Sequence, residues 1–308
     1  MKCTHSEGLK MANLSQNDEL EGIPRRRGLL KGLGLGIAGT AALAAAGTAG
    51  LGFGVTPAHA DAATDAEVFN FALNLEYLEA EYYLRAVTGN GIPASSGGTG
   101  AVTGGSLVPF ENTAIAYLAQ KIAVDELAHV NFIRSVLGAS AVAEPAIDLV
   151  NSFTELAVAA GLIVSGQTFN PFGSEVDFLL GAYVFEDVGV TAYAGAAALL
   201  TPATIPYAAS VLAVEAYHAG AIRQRLAEIG GSAATNQISA LRQTLSGVGD
   251  NGLNYQNNMF NVTNVDSQGQ AYRRTPQQVL SIVYGGGTSS GLFFPNGVNG
   301  AITSTAAA

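Results

Sequence analysis

Two segments of the chain, Glu126-Leu-Ala-His129 and Glu215-Ala-Tyr-His218, set a glutamate three residues ahead of a histidine. On an α-helix that spacing puts both side chains on one face, where they can reach the same ion. Each pair also lies on an apolar stripe. The first falls within Ile115, Leu118, Ala119, Ile122, Glu126, His129, Ile133 and Val136, the second within Val211, Glu215, His218, Ile222 and Leu226. A stripe of that period belongs to a helix packed on a core. A carboxylate on it is costly unless paired, hydrogen-bonded or bound to metal. The chain must therefore fold so that two helices bring acids and imidazoles together in its interior.

The remaining histidines, His5 and His59, belong to a different kind of sequence. Residues 1–60 carry Arg25-Arg26-Arg27-Gly28-Leu29-Leu30-Lys31, then a run without charge from Gly32 that ends in Ala58-His59-Ala60. The basic start, the mild Ala/Gly-rich segment and the small–x–small ending predict an export signal cleaved after Ala60, and they resemble a twin-arginine leader. Gly and Ala supply little transfer free energy, which favours cleavage over a retained membrane anchor. Gly34-Leu-Gly36-Ile-Ala-Gly39 matches the dinucleotide GxGxxG pattern, but no strand precedes it and it gives no support to nucleotide chemistry. The predicted mature chain, 61–308, keeps 8 Lys+Arg against 20 Asp+Glu, no cysteine, and only His129 and His218. That excludes an internal disulfide framework and Cys-ligated zinc or iron–sulfur centres. The acidic balance argues against nucleic acid and leaves a metal ion or a small-molecule oxidant as the expected partner.

Caps and turns predict four long helices in the mature chain. Thr64-Asp65-Ala66-Glu67 reads as a capping box opening a run to about Val87, stopped by Gly89-Asn90-Gly91. The Gly/Ser/Thr-rich stretch from Gly91 to Pro109 reads as a loop. A second run spans about Asn112 to Leu137 and ends at Gly138; a third opens at Ser174, with Glu175 and Asp177 in its first turn, and reaches about Leu200. Thr201-Pro202 reads as the cap and first residue of a fourth, which ends at Gly230-Gly231. Helices three and four are then antiparallel neighbours. Residues 138–174, with a helical stretch between Pro145 and about Val164, are long enough to run back along a bundle. Beyond Gly231 come short helical pieces near Gln237–Leu245 and Thr275–Tyr284, and a Gly-rich tail whose Leu292-Phe293-Phe294-Pro295 is apolar enough to pack on the bundle or on a neighbouring subunit.

Helices one and three each place one more carboxylate on a core stripe. Glu76 lies among Phe69, Ala72 and Tyr83, and Glu186 among Leu179, Ala182, Val190 and Tyr193. Counted from the turns, Glu186 matches Glu215 in height and Glu76 matches Glu126. Glu79 lies on nearly the same face as Glu76 and remains the alternative in helix one, while Glu81 reads as a solvated charge. The candidate metal ligands are therefore Glu76, Glu126, His129, Glu186, Glu215 and His218. Four carboxylates neutralise two divalent ions, and the oxygen-rich set with one imidazole per ion suits iron or manganese.

One Glu from each of two helices and one Glu-x-x-His from each of the other two resembles the ligand set of ferritin-like di-iron and di-manganese carboxylate proteins. Leu75-Glu76-Tyr77-Leu78-Glu79-Ala80-Glu81-Tyr82-Tyr83, Asp125-Glu126-Leu127-Ala128-His129, Phe185-Glu186-Asp187-Val188-Gly189-Val190-Thr191-Ala192-Tyr193 and Glu215-Ala216-Tyr217-His218 carry the resemblance. Thr275-Pro276-Gln277-Gln278-Val279-Leu280 and Phe294-Pro295-Asn296-Gly297 extend it to an exported bacterial branch similar to desiccation-related proteins. The resemblance implies an all-α chain: a ferritin-like four-helix bundle over 61–231, a long crossover between helices two and three, and a C-terminal extension over 232–308. It also implies a dinuclear site reactive with dioxygen or peroxide, with Glu126 and Glu215 bridging and Glu76/His129 and Glu186/His218 terminal. The expected function is an exported oxidoreductase acting on peroxide, dioxygen or ferrous iron under stress. The alternative is a non-catalytic envelope protein whose bundle is stiffened by metal.

Overall fold

Helix-forming stripes and their caps account for most of the computed structural model, which describes residues 62–256 and 259–306. In chain order the helices are α1 (Ala62–Thr88), α2 (Thr113–Leu137), α3 (Asn151–Ala159), α4 (Glu175–Ala196), α5 (Ile205–Glu228), α6 (Ser232–Ser246) and α7 (Pro276–Val283). The export signal predicted for 1–60, its cleavage point and the glycine-rich motif inside it lie outside the described residues. No helix among the described residues is long and apolar enough to cross a membrane.

The caps act largely as the sequence predicts. Asn112 accepts hydrogen bonds from the amides of Ala114 and Ile115, Ser174 from that of Asp177, and Thr275 forms a reciprocal capping box with Gln278. The start of α5 differs. Thr201-Pro202 does not open that helix; α4 ends at Ala196, one 3-10 turn follows, and α5 begins at Ile205 with Thr204 as its cap residue. The reason is Asp65 of α1. Its carboxylate accepts from the Thr201 amide at 2.8 Å and from the Thr204 hydroxyl at 2.8 Å, so the Thr-rich turn is committed to an interhelical contact. The expected capping box at Thr64 also moves, because α1 already includes Ala62.

Contacts fix the helix directions. Val108 bonds Ala86 and Val142 bonds Asn70, so α2 runs antiparallel to α1. Tyr82 bonds Phe178 and Asp65 bonds Thr201, so α4 is antiparallel to α1 as well. Arg223 reaches back to Asp187 and Tyr183, which makes α5 antiparallel to α4. Helices α2 and α4 therefore point the same way, and the connection between them must return along the bundle, as a ferritin-like crossover does. Within it α3 is shorter than the helical stretch expected from Pro145 to Val164. The 91–109 segment is not wholly irregular either: its Val102–Thr103 strand, β1, pairs in parallel with Ile147–Asp148, β2, of the crossover. In the extension Tyr255–Gln256, β3, pairs antiparallel with Met259–Phe260, β4.

The four helices are not equally covered. Nearly every residue of α1 from Val68 to Tyr83 and of α4 from Phe178 to Tyr193 is buried, the pattern of helices enclosed on all sides. Their outer faces are covered by α3, α6, α7 and the tail. Phe153 and Phe293 both pack on Phe185, and Phe293 and Phe294 are fully buried against their own chain. By contrast α2 and α5 keep outer faces in solvent. Val136, expected on the core stripe of α2, lies 37% exposed near the end of that helix.

A charged network ties the extension to the bundle. Arg223, Arg242 and Arg274 are all buried; Asp187 receives Arg223 at 2.7 Å and Arg242 at 3.0 Å, and Asp250 receives Arg242 and Arg274, each at 2.8 Å. The Arg274 amide also bonds the Thr191 carbonyl at 3.0 Å. Gly195 permits this approach, since a Cβ there would lie 1.9 Å from the Arg274 carbonyl oxygen.

Candidate metal centre

All six predicted ligands meet between α1, α2, α4 and α5. Glu76, Glu126, Glu186 and Glu215 are at most 1% exposed; His129 and His218 are 8% and 5% exposed. His129 Nδ1 lies 3.2 Å from Glu76 Oε2, 3.3 Å from Glu126 Oε2 and 3.4 Å from Glu215 Oε1. His218 Nδ1 lies 3.0 Å from Glu126 Oε1 and 3.5 Å from Glu186 Oε2. Two groups result: Glu76, Glu126, His129 and Glu215, and then Glu126, Glu186 and His218. Glu126 turns one oxygen to each. Of the two bridges expected from the resemblance, only Glu126 is shared; Glu215 joins the His129 group alone.

The two helix pairs are related by a repeat. Glu76 and Glu186 are 110 positions apart, as are Tyr83 and Tyr193; Glu126 and Glu215 are 89 apart, as are His129 and His218. Each tyrosine serves the other pair's carboxylate: Tyr83 donates to Glu186 Oε1 and Tyr193 to Glu76 Oε1. Both carboxylates are thereby held at one oxygen and offer the other, Oε2, to the centre. The repeat places Glu79 opposite Gly189, also 110 positions on. A Cβ at residue 189 would lie 2.3 Å from Glu215 Oε2 and 3.5 Å from Glu79 Oε1, so only glycine leaves room for both carboxylates.

Charge in this interior is far from compensated by side chains alone. Burial pushes Glu76 up to about 7, against the pull of His129. Burial and the neighbouring carboxylates push Glu215 and Glu79 well above the carboxylate range. Glu126 goes the other way: burial raises it, but the imidazoles of His129 and His218 beside it outweigh that and hold it at about 2. Burial opposes charging His218, yet Glu126 and Glu186 raise it to about 11, and Glu76, Glu126 and Glu215 raise His129 well above its ordinary value. The cluster's negative charge thus calls for protons or bound cations to offset it.

Hydrogen-bond accounting points the same way. Glu76 Oε2, Glu126 Oε1, Glu186 Oε2, both oxygens of Glu215 and His218 Nδ1 are buried without a hydrogen-bond partner. Buried polar atoms are rarely left so. Five of them, Glu76 Oε2, Glu126 Oε1, Glu186 Oε2, Glu215 Oε1 and His218 Nδ1, gather within the two groups, whereas Glu215 Oε2 turns toward Gly189. His218 Nε2 is 3.1 Å from Asp125 Oδ2, so the tautomer that donates to Asp125 turns the Nδ1 lone pair toward Glu126 Oε1. Acceptor facing acceptor at that distance needs either a proton or a metal ion to satisfy both. The donor set fits a metal site.

Glu76, preferred over Glu79 on the sequence, belongs to the His129 group, whereas Glu79 joins neither group. Glu81 is not a solvated charge: it is 2% exposed, accepts from the Ile92 amide at 2.6 Å and pairs with Arg85. Asp125 was quoted only as part of a motif, and its contact with His218 was missed. Its position directly before Glu126, on the edge of the same stripe, is the signal that marks it.

A family model described as ferritin-like domain matches residues 64–228. The ferritin-like catalase Nec2 of Nesocodon mauritianus is 30% identical over 265 residues, which cover 77% of this chain and 84% of that protein. The desiccation-related protein PCC13-62 of Craterostigma plantagineum is 32% identical over 245 residues, 70% of this chain and 76% of that protein. No solved structure matches the chain.

Proposed function

From a chain that belongs to the ferritin-like family and gathers five unpartnered buried atoms between its four long helices, we propose a centre of two divalent ions, iron or manganese, that acts on hydrogen peroxide. Glu76, Glu126, Glu215 and His129 hold one ion and Glu126, Glu186 and His218 the other, with Glu126 between them. The ions supply the redox equivalents for disproportionating two peroxide molecules into dioxygen and two waters. Four ionised carboxylates balance two divalent charges once Glu79 keeps its proton, which its burial and its acidic neighbours favour. Tyr83 and Tyr193 fix Glu186 and Glu76, and the near-complete burial of the carboxylates admits only a small substrate. The name of the Nesocodon relative supports peroxide over ferrous iron.

The carrying observation is the convergence of unpartnered lone pairs, and the test follows from it. Elemental analysis of protein purified from its native compartment is expected to find two iron or manganese ions per chain; zinc, or no metal, sinks the proposal. Dioxygen release from peroxide separates the catalase reading from a ferroxidase, which consumes dioxygen on added ferrous iron. If the loaded protein does neither, the reading suggested by the desiccation-related relative stands instead, a protective protein stiffened by its metals. We also propose export with cleavage after Ala60, on the basic and mildly apolar leader; N-terminal sequencing of the mature protein checks it.

A further inference from the structure

The repeat that relates the two helix pairs breaks at one polar position. Asp125 of α2 contacts His218 Nε2 at 3.1 Å, and 89 positions further on, where the partner of His129 belongs, stands Val214. Among the described residues no side chain or carbonyl pairs with His129 Nε2. Asp125 is itself anchored: Lys121, one turn earlier, pairs with its other oxygen. A second asymmetry runs the opposite way. The His129 group has three carboxylates, whereas the His218 group has two, one of them shared.

On the reading of this cluster as a metal centre, we infer that its two positions are unequal and fill in order, and that Asp125 is the positioning residue for the weaker one. The first divalent ion goes to the group richer in carboxylate, Glu76, Glu126, Glu215 and His129, where Coulomb attraction is larger. The second meets fewer charges, and Asp125 compensates. It accepts the Nε2 proton of His218, which fixes the ring and presents Nδ1 to the ion, and its charge makes that nitrogen a better donor. Outer partners of this kind are worth about 10–100-fold in metal affinity. His129 needs no such partner because three carboxylates already surround its site.

Calorimetric titration of the metal-free full chain with Mn²⁺ tests this. Wild type is expected to show two unequal events. Asp125→Ala weakens the second by about 10–100-fold and leaves the first in place. Asp125→Asn, which keeps an acceptor but not the charge, falls between. Unfolding of the metal-free variants reports any structural damage separately; a merely structural role would weaken both events together. Equal weakening of both, or of neither, overturns the inference while the metal centre stands. A wild-type chain that takes up no Mn²⁺ removes the metal centre itself.

Discussion

Tyr83 of α1 hydrogen-bonds Glu186 of α4, so the carboxylate of one helix pair is held by the phenol of the other. Tyr193 returns the arrangement to Glu76. Tyr83→Phe removes a donor from a buried acid and should cost about 1–3 kcal/mol of metal-free stability. Denaturant unfolding of the variant measures it, and the Tyr193→Phe variant should behave alike. A loss confined to one of the two contradicts the equivalence of the halves.

Proton binding should set how stability varies with pH. Glu76 lies near 7 in the folded chain against an ordinary 4.5, so its contribution is complete below about pH 4.5 and is lost as pH rises through 7. His218, raised to about 11 from 6.5, adds stability that is complete below 6.5 and lost toward 11. Glu126, lowered to about 2, acts at the other end and its contribution disappears as pH falls below 4.5. The metal-free protein should therefore melt at a lower temperature at pH 8 than at pH 5.5. Metal must displace those protons, so Mn²⁺ should raise the melting temperature more at pH 8 than at pH 5.5. Melting curves with and without metal at the two values decide it.

One further buried acid, Glu144, titrates away from the centre. Glu144 contacts Glu81 and accepts from the Gly100 amide at 2.6 Å; burial and Glu81 together push it up to about 7. Its proton holds the 91–109 segment against α1 below that pH and is lost above it. Glu144→Gln should flatten the part of the pH dependence that belongs to this segment. Hydrogen-exchange protection of 91–109, taken relative to the intrinsic amide rate at each pH, is the direct readout: weaker at pH 8 than at pH 6 in wild type, and equal at both in the variant.

Gly189→Ala should damage the centre with one methyl group. The added carbon meets Glu215 Oε2 at 2.3 Å, so the fully buried Glu215 carboxylate must shift away from it. A cost of about 1–3 kcal/mol is expected from overpacking. Lower Mn²⁺ affinity in the group that contains Glu215 should accompany it. Wild-type binding by this variant would contradict the position given to Glu215.

Asp250→Asn breaks the network that fastens the extension. It leaves Arg242 and Arg274 with less compensation in a dry interior, and removing one partner of a buried pair costs about 3–5 kcal/mol. Limited proteolysis should cut the variant first in 247–275, where wild type resists.

The centre was more legible in the sequence than its surroundings, and for one physical reason. Helical period and caps are local, so Glu126, His129, Glu215 and His218 declare their faces by spacing alone, and Glu76 and Glu186 follow from stripes and turns. Contacts between distant segments leave no such period. Glu81 looks like any surface acid until the Ile92 amide folds back onto it. Thr201-Pro202 has the chemistry of a cap but is claimed by Asp65 from α1. The three buried arginines gave no warning, because their acids come from α4 and from the 250 region rather than from neighbouring turns. One available signal went unused: α4 is apolar on all sides, which already requires a cover that three bundle neighbours do not provide.

The side chain of Asn74 is buried within α1, and its amide and carbonyl are both answered by the backbone of Asn299 at 2.8 and 2.9 Å. A helix near the start of the described chain is therefore completed by residues made 225 positions later. During synthesis α1 and α2 can pair early, but the face carrying Asn74 waits across 225 positions for its partner, a loop closure large enough to slow the final step. Until then an apolar surface and the unanswered Asn74 side-chain carbonyl stay open to the cell's chaperones and proteases, and a chain cut short of Asn299 never leaves that vulnerable state.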